Sequence, residues 1–373
     1  MKTVITGGGS GGHVYPALAI AEKFREKDPE GKIIYAGYPG GFEHGVVPKY
    51  GYEMVDIDTR WFDKGSVTEL IKFGCHVLNG IRQARKFLKE FKPDLIIGTG
   101  GFVCFPVIFA GKRLGIKCYI HEQNAFPGLS NRKLEKYVRK IFLGFKEGGE
   151  FFNDKDKLIV SGNPVRQEFF TLEKDAARDR LGIDQKDFVV LIFGGSLGAE
   201  TIDKIGVELT SDMSGKPGQT LIFGTGRYYY DQVQEELKTK DIVPGENIRL
   251  TSYIDNMQDC LAACDVVISR AGALSMAEAM AQGKASILIP SPNVSANHQY
   301  YNAKAAADCG AAFMIEEKDV TPEIVMDMVR ELKDDPSRAA EMGKIAKMLA
   351  PSAAADIIYE EIMKDSGLIN GKE

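Results

Sequence analysis

Short apolar runs alternate along the chain with longer segments in which apolar residues recur every three or four positions. In the first half the runs cover residues 2–6, 32–36, 94–98, 117–121 and 140–143. In the second half they cover residues 187–193, 219–223, 265–268 and 286–289. Apolar runs separated by helical periodicity are typical of parallel strands whose connecting helices cover both faces of a sheet. The pattern therefore predicts an α/β chain.

Two of these predicted strands continue into a glycine-rich turn that opens a helix. The first turn is Gly7-Gly-Gly-Ser-Gly-Gly-His13, and the second, about half a chain later, is Gly194-Gly-Ser-Leu-Gly-Ala199. Glycine lets the backbone approach a ligand closely, and a helix N-terminus presents N–H groups and a positive dipole end to an anion. The repetition predicts two nucleotide-type domains that face one cleft.

The predicted domain boundary lies at Ser161-Gly-Asn-Pro164, where glycine and proline interrupt both periodicities. We assign residues 1–163 to the first domain and residues 164–350 to the second. Residues 353–364 predict an amphipathic helix with Ile357, Ile358 and Ile362 on one side. This helix could pack on either domain, and we expect the segment 351–373 to return to the first.

The composition, with 44% apolar and 27% charged residues among 373, is that of an ordinary globular protein. The longest apolar stretch, residues 102–110, is much shorter than the roughly 20 residues that cross a bilayer, and it contains Pro106. No signal peptide is visible, so we expect a cytoplasmic protein. Residues 1–163 carry 25 Lys/Arg and 18 Asp/Glu, whereas residues 164–373 carry 22 and 34. The basic first half predicts an anionic partner.

The six cysteines include no CxxC pair. Cys260 and Cys264 lie four residues apart on a predicted helix, but no His or further Cys follows at metal-ligand spacing. We therefore expect six reduced thiols in the core and no metal site.

The first glycine turn matches G-x-G-x-x-G, which by itself suggests a dinucleotide fold. An NAD site also needs an acidic residue at the end of the second strand, and that strand ends at Gly37, with Glu43 too far along. A phosphate-binding loop of the Walker type needs Lys and Ser or Thr where this chain has His13. Both interpretations are weak.

Further polar motifs follow other predicted strands, where open α/β sheets bind ligands. They are Gly98-Thr-Gly-Gly-Phe102, His121-Glu-Gln-Asn124, Ser269-Arg-Ala-Gly-Ala-Leu-Ser-Met-Ala-Glu278 and Asn297-His-Gln299. Each alone could be a helix cap or a surface carboxylate. Glu278, about one and a half turns into a helix opened by Gly272, could accept hydrogen bonds from a sugar diol.

These motifs, with Gly100-Gly-Phe-Val-Cys-Phe-Pro106, Gly162-Asn-Pro-Val-Arg166 and Asn302, occur in the order found in the MurG family. MurG enzymes are the glycosyltransferases that add N-acetylglucosamine to the undecaprenyl-linked muramyl peptide of bacterial cell-wall synthesis. The resemblance covers residues 3 to about 310. It implies the GT-B fold, with two Rossmann-like doubly wound domains, and no cofactor or tightly bound catalytic metal.

The resemblance also implies roles for single residues in binding UDP-N-acetylglucosamine. Ser10, Gly11, Gly12 and Asn124 would reach this donor from the first domain. In the second domain the donor-binding residues would be Arg166, Ser196, Ile254, Ala273, Leu274, Ser275, Glu278 and Gln299. The chemistry agrees: the 194–199 turn suits a diphosphate, the Ile254 backbone a uracil edge, and Glu278 the ribose hydroxyls.

The implied reaction is inverting: the C4 hydroxyl of the muramyl residue attacks the anomeric carbon, displaces UDP and forms a β-1,4 bond. A base must take the hydroxyl proton, and His13 is our first candidate because histidine ordinarily titrates near neutral pH. Glu43 is the second. Phe102, Cys104 and His298 depart from the commonest family residues, so no role is carried over to them.

Two alternatives remain at this stage. A UDP-N-acetylglucosamine 2-epimerase would share fold and donor, and a related transferase could use another lipid acceptor. The expected partners are the UDP-sugar, the lipid-linked muramyl pentapeptide and anionic phospholipid at the cytoplasmic membrane face, but not nucleic acid. The segment Lys64–Lys92 combines apolar residues with basic ones, which predicts a peripheral membrane contact, although a core helix with a solvated basic face fits as well. Its residues are Leu70, Ile71, Phe73, Val77, Leu78 and Ile81 with Lys72, Arg82, Arg85, Lys86 and Lys89, followed by a second basic run of Arg132, Lys133, Lys136, Arg139 and Lys140.

Overall fold

Each of the nine apolar runs forms a parallel strand in the computed structural model, as predicted. The structure describes residues 1–59, 67–195, 197–350 and 352–368, with residues 67–72 and 295 described by their backbone alone. The chain divides into two compact units: Met1–Val165 with Ala353–Glu373, and Arg166–Ser352. The division after Val165 lies two residues beyond the boundary that we predicted from the sequence.

The described part of the N-terminal unit contains a parallel sheet in the order β3-β2-β1-β4-β5-β6-β7. The strands are β1 (Lys2–Thr6), β2 (Lys32–Gly37), β3 (Glu53–Asp56), β4 (Leu95–Gly98), β5 (Lys117–Glu122), β6 (Lys140–Leu143) and β7 (Leu158–Val160). The helices are α1 (Gly11–Lys27), α2 (Phe42–Val46), α3 (Val67–Phe91), α4 (Cys104–Arg113) and α5 (Leu129–Leu134). Short 3₁₀ helices cover Val47–Tyr50, Glu135–Tyr137, Lys146–Phe151 and Lys155–Lys157.

Successive residues of the inner strands belong to two cores, one on each face of this sheet. Val4 packs with one cluster and Ile5 with the other, and Ile96 and Ile97 divide in the same way. Burying such a side chain contributes about 1.5–3 kcal/mol, which explains why these strands are apolar at every position.

The C-terminal unit contains a second parallel sheet, described in the order β10-β9-β8-β11-β12-β13. Its strands are β8 (Phe188–Phe193), β9 (Gln219–Gly224), β10 (Ile248–Thr251), β11 (Val266–Ser269), β12 (Ala285–Leu288) and β13 (Ala312–Met314). Its helices are α6 (Glu168–Thr171), α7 (Lys174–Leu181), α8 (Glu200–Met213), α9 (Tyr230–Thr239), α10 (Met257–Ala263), α11 (Ala273–Ala281), α12 (His298–Asp308), α13 (Pro322–Asp334) and α14 (Pro336–Leu349). A 3₁₀ turn covers Ser295–Asn297.

The last helix, α15 (Ala354–Ser366), belongs to the N-terminal unit and packs against α1. Its buried side includes Ile358 and Ile362, which join the core cluster of α1. The Tyr359 ring lies 4.9 Å from that of Phe24, and Asp365 accepts hydrogen bonds from Tyr119 and Arg139. These contacts attach the end of the chain to its beginning.

Each sheet has one point at which the connections that follow two adjacent strands run in opposite directions, so that the strand order reverses there. In the N-terminal unit this point lies between β1 and β4, and in the C-terminal unit it lies between β8 and β11. Open α/β sheets bind ligands just beyond the carboxyl ends of the strands at such points. The two glycine turns follow β1 and β8, so each turn stands at its own switch point.

Candidate functional site

The turn after β1 packs directly against the turn after β4. The N–H of Gly8 donates to the Gly100 carbonyl oxygen at 3.3 Å. A Cβ on Gly101 would lie 2.3 Å from the Gly8 oxygen, and Gly101 has a φ of +82°. Only glycine fits this close approach, which brings the start of α1 beside residues 99–101.

The Glu43 side chain lies behind the first glycine turn, in the interior of the N-terminal unit. This side chain is fully buried; one carboxylate oxygen accepts the Gly9 N–H at 3.1 Å and the other accepts the Tyr38 N–H at 2.9 Å. A general base must reach the substrate, and these oxygens are occupied within the unit. The structure therefore argues against Glu43 as the second candidate base and indicates that it holds the turn in shape.

His13 is half-buried at the first turn of α1, beyond the carboxyl ends of β4 and β5. Its Nδ1 lies 3.0 Å from the Thr99 carbonyl oxygen and 3.2 Å from Oε1 of Gln123. Gln123 in turn contacts His121, which is fully buried. Residues from the ends of two strands, β4 and β5, thus converge on His13.

The remaining candidates of this unit lie around the same strand ends. Ser10 and Gly12 are exposed and Gly11 is half-buried, so the outer side of the turn is open to a ligand. Asn124 is half-buried, and its backbone and side-chain N–H groups both donate to Glu122 at 3.0 and 3.1 Å. The other Glu122 oxygen accepts from the Gly128 N–H and from Asn131. No role was predicted for Glu122, which holds Asn124 with two hydrogen bonds and ties it to Gly128 and Asn131 with two more.

The second glycine turn leads into α8. Gly195 and Gly198 have φ values of +98° and +90°, and a Cβ on Gly198 would lie 2.1 Å from the Thr225 carbonyl oxygen. The turn is therefore pressed against the end of β9, with the first N–H groups of α8 beside it. Ser196, the predicted diphosphate ligand, lies outside the described residues.

Two charged side chains belong to elements next to this second turn, namely α8, which follows the turn, and the end of β11, which pairs with β8. Arg270, directly after β11, donates to the carboxylate of Glu317 at 2.7 Å and to the Ile289 carbonyl oxygen at 3.2 Å. Asp203 is buried in α8, and this burial raises its pKa to about 7. Neither Arg270 nor Asp203 was assigned a role from the sequence, because their significance depends on strands distant along the chain.

Helix α11 begins at Ala273 after Gly272 and carries Glu278 in its second turn, as predicted. Glu278 is half-buried, with Leu274 and Ser275 also partly exposed on the same helix. Burial raises the pKa of Glu278 to about 7, and the positive charge of Arg166 opposes part of this rise.

Arg166 opens the C-terminal unit. Its guanidinium contacts Glu168 at 2.7 Å and lies 5.1 Å from the centre of the Phe169 ring. These contacts and its charge effect on Glu278 place it near the α11 carboxyl group.

Ile254 and Gln299 belong to two other loops of this unit. Ile254 is half-buried after β10, and a Cβ on Gly224 would meet its side chain at 2.8 Å. Oε1 of Gln299 accepts the Ser291 N–H at 2.9 Å. Ala296 and Asn297 both have left-handed backbones, with φ near +50°, directly before α12. Such strained backbone is found most often at functional sites.

One cysteine supports the first site: Sγ of Cys104 accepts the Gly100 N–H at 3.2 Å and donates to the Thr6 carbonyl oxygen at 3.1 Å. Burial raises the pKa of Cys260 to about 12 and that of Cys264 to about 11, so both are thiols. The expectation that all six lie in the core is wrong for Cys75 and Cys309, which are exposed. Among the described residues, no cluster of His, Cys, Asp or Glu could hold a metal ion.

The chain matches models of the two glycosyltransferase family 28 domains. The N-terminal domain model covers residues 3–143, and the C-terminal domain model covers residues 189–358. A UDP-N-acetylglucosamine–N-acetylmuramyl-(pentapeptide) pyrophosphoryl-undecaprenol N-acetylglucosamine transferase from Acetivibrio thermocellus is 40% identical, with 98% of each chain aligned. The Clostridioides difficile protein of the same name is 39% identical, over 98% of this chain and 89% of its own.

Solved structures show the same fold. MurG of Acinetobacter baumannii superposes with a TM-score of 0.74 at 24% identity, over 97% of this chain and 99% of its own. A UDP-GlcNAc 2-epimerase of Neisseria meningitidis gives 0.68 at 17% identity, over 98% and 100%. The GT-B fold therefore does not by itself separate a transferase from an epimerase.

Sequence identity does separate the two activities, because the relatives that are 40% identical over 98% of this chain are named as transferases. The chain is a hexosyltransferase with glycosyltransferase family 28 domains, and it belongs to the MurG family of N-acetylglucosamine transferases.

Proposed function

We propose that this chain transfers N-acetylglucosamine from UDP-N-acetylglucosamine to the C4 hydroxyl of the undecaprenyl-diphospho-muramoyl pentapeptide, forming a β-1,4 bond with inversion. The observation that carries this proposal is the match at about 40% identity, over nearly the whole chain, to transferases whose names state the donor and the acceptor. The two switch-point sites supply suitable chemistry for such a transfer.

The donor binds the C-terminal unit in this proposal. The N–H groups of the 194–199 turn and the N-terminus of α8 face the diphosphate, with Ser196 and Arg166 as additional donors. The backbone at Ile254 pairs with the uracil edge, and Glu278 accepts from the ribose hydroxyls. Gln299 and the 273–275 segment complete the sugar-nucleotide site. From the N-terminal unit, Ser10, Gly11, Gly12 and Asn124 contact the donor.

The proton is removed by His13. As the acceptor oxygen bonds to the anomeric carbon, its proton passes to Nε2 of His13, and the bond from that carbon to the UDP oxygen breaks. The electron pair leaves with UDP, whose developing charge is stabilised by preorganised N–H groups of the second turn. Because the reaction is a group transfer without oxidation, it needs no redox cofactor.

The decisive experiment incubates the purified chain with UDP-N-acetylglucosamine and a lipid-linked muramyl pentapeptide analogue, and measures UDP and disaccharide-lipid together. We expect both products in equal amounts and only when both substrates are present. UDP or a 2-epimerised sugar formed without the lipid would contradict the proposal and favour the epimerase. Transfer to other lipid acceptors but not to this one would favour a different transferase.

We also propose that the N-terminal unit lies against the cytoplasmic membrane face, where the lipid-linked acceptor is found. On α3, Leu78 is exposed and flanked along the helix by exposed Arg82, Arg85 and Lys86. Exposed apolar residues beside cations suit a peripheral contact with anionic lipid, to which each cation adds about 1 kcal/mol. No helix within the described residues has the length and apolar character needed to span a bilayer.

A second group of aromatic and basic residues lies on α4, which packs against α3, and on the 3₁₀ helix Glu135–Tyr137. The rings of Phe105, Phe109 and Tyr137 pack together, with Arg113 and Lys136 each about 5 Å from a ring centre. Within the predicted basic run, Lys133 and Lys136 are exposed. Arg139 and Lys140 are engaged elsewhere, by Asp365 and by the Asp156 carbonyl oxygen. The side chains of Lys64, Leu70, Ile71 and Lys72, which belong to the segment predicted to contact the membrane, are outside the described part of the structure.

Sedimentation with vesicles that contain anionic phospholipid tests this surface. Replacing Arg82, Arg85 and Lys86 by Glu should abolish most of the binding, and raised salt should weaken binding of the unaltered chain. A matched control replaces three exposed lysines of the C-terminal unit, Lys186, Lys238 and Lys344, by Glu. Equal losses in the two variants, or binding that salt does not change, would contradict the proposed surface.

A further inference from the structure

Four groups of the N-terminal unit form one hydrogen-bonded chain that ends at His13. The Gly162 carbonyl oxygen lies 3.1 Å from Nε2 of His121, Nδ1 of His121 lies 3.0 Å from Nε2 of Gln123, and Oε1 of Gln123 lies 3.2 Å from Nδ1 of His13. We propose that Gln123, oriented by His121, is a positioning residue that keeps Nε2 of His13 unprotonated. This inference rests on the proposed role of His13 as the base.

The direction of each hydrogen bond follows from the end of the chain at Gly162. A carbonyl oxygen can only accept, so Nε2 of His121 donates to it. His121 is fully buried, and this burial lowers its pKa to about 4. The ring is therefore neutral at physiological pH, and its Nδ1 has a lone pair that needs a donor.

The amide of Gln123 supplies that donor. Its Nε2 lies 3.0 Å from Nδ1 of His121 and 3.2 Å from the His121 carbonyl oxygen, so both amide hydrogens have acceptors. Gln123 is itself buried, which makes the reversed amide costly because it would leave the lone pair of His121 without a donor. The orientation of Gln123 is therefore determined by His121.

With this orientation, Gln123 presents its oxygen to His13. The Thr99 carbonyl oxygen lies 3.0 Å from the same Nδ1, so two acceptors converge on one ring nitrogen. Nδ1 must carry the hydrogen, and in a neutral imidazole the other nitrogen then has the lone pair. Within the described residues, Nε2 of His13 takes part in no protein hydrogen bond, so it can accept a substrate proton.

The same contacts act on the protonated form. Once His13 holds the acceptor proton, its hydrogen bonds to Gln123 and Thr99 become charge-assisted and stabilise the imidazolium. Both acceptors are neutral oxygens, unlike the carboxylate that orients histidine in serine proteases. The pH range over which His13 can act should therefore respond to a charge introduced at position 123.

Two substitutions separate positioning from simple packing. Gln123→Glu keeps an oxygen toward His13 and adds a negative charge, which favours the protonated ring. The acid limb of the kcat/KM profile should move to higher pH by about one unit, with activity recovering in alkaline buffer. Gln123→Met has a similar length but no acceptor, and kcat should fall about tenfold at every pH. A purely structural residue would give the same loss at every pH in both variants.

The exposed Gln232 of α9 provides a matched control, since Gln232→Glu makes the same charge change far along the chain. Its pH profile should equal that of the unaltered enzyme. A parallel shift in this control would overturn the proposal, because the effect at position 123 would then be a general charge effect.

Nuclear magnetic resonance tests the tautomer without using activity. The chain has only five histidines, so selective ¹⁵N labelling gives few ring signals, and His13→Gln assigns one of them. We expect the hydrogen of neutral His13 on Nδ1, and a mixture of tautomers in Gln123→Met. A hydrogen on Nε2 in the unaltered chain refutes the proposal even if both variants fail to fold. An active His13→Gln enzyme would instead refute the role of His13 as base, independently of its tautomer.

Discussion

The two glycine turns share a sequence pattern and a place in their sheets, but the carboxyl groups behind them differ. Behind the first turn, the buried Glu43 accepts backbone N–H groups with both carboxyl oxygens. Behind the second, burial raises the pKa of Asp203 to about 7, and the guanidinium of Arg270 follows the neighbouring strand. The Glu43 carboxyl thus holds the backbone of the first turn, whereas the Asp203 carboxyl has a raised pKa and lies near Arg270, whose guanidinium is paired with Glu317.

This difference teaches that a repeated motif need not repeat its function. A turn with a buried carboxylate is poorly suited to a diphosphate, but it can hold a helix start at which a histidine is presented. The second turn opens α8, whose first N–H groups suit an anion. We therefore expect the first site to govern proton transfer and the second to govern donor binding.

Replacing His13 should give the largest effect that this comparison predicts. His13→Gln should lower kcat by about 100-fold or more, as expected on removal of a general base, with little change in KM for UDP-N-acetylglucosamine. Steady-state kinetics measure both. The control is His44→Gln, an exposed histidine of the same unit that pairs with Asp56, and it should keep nearly full activity. A loss of less than tenfold in kcat for His13→Gln would show that His13 is not the general base.

Glu278→Ala should give the next largest effect, on donor recognition. A charge-assisted hydrogen bond to the ribose is worth about 1.5–3 kcal/mol, so kcat/KM should fall at least tenfold. The variant should also lose most of the discrimination against the 2′-deoxyribose donor. If the unaltered enzyme accepts both donors equally, or the variant still rejects the deoxy donor, Glu278 does not contact the ribose.

Donor affinity should depend on pH through the same carboxyl group. Because burial raises the pKa of Glu278 to about 7, part of the population is protonated at neutral pH, and ribose binding favours the ionised form. Binding then releases a proton, and affinity for the UDP-sugar rises from pH 6 to pH 8 by up to about tenfold. Calorimetry in buffers of different ionisation enthalpy measures both quantities. In Glu278→Gln the rise should disappear; its persistence would assign the titration to another group.

Glu43→Gln should have the smallest effect on activity. The amide has nearly the same shape and retains one acceptor for a backbone N–H, so kcat should fall only a few-fold while the melting temperature drops. A loss of 100-fold in kcat with unchanged stability would instead identify Glu43 as the base, and would reverse our assignment of the first site.

The inner strands and the order of the motifs could be predicted from the sequence. All nine predicted strands form, because residues buried on both faces of a parallel sheet must be apolar at every position. The strands β3, β7, β10 and β13 were missed, and all four lie at sheet edges. Their residues are largely half-exposed, so they lack the continuous apolar run that identifies an inner strand.

The arrangement of side chains at each site was decided only by the tertiary structure. The sequence determined that His13, Glu43 and the 121–124 segment would follow strands of one parallel sheet, and hence lie near one edge. It did not determine that Glu43 would point inward, or that Gln123 would lie between two histidines. His13 is 86 residues from Thr99 and 110 from Gln123. Contacts across such separations depend on strand order and on glycine-permitted approach of the turns, which no local pattern encodes.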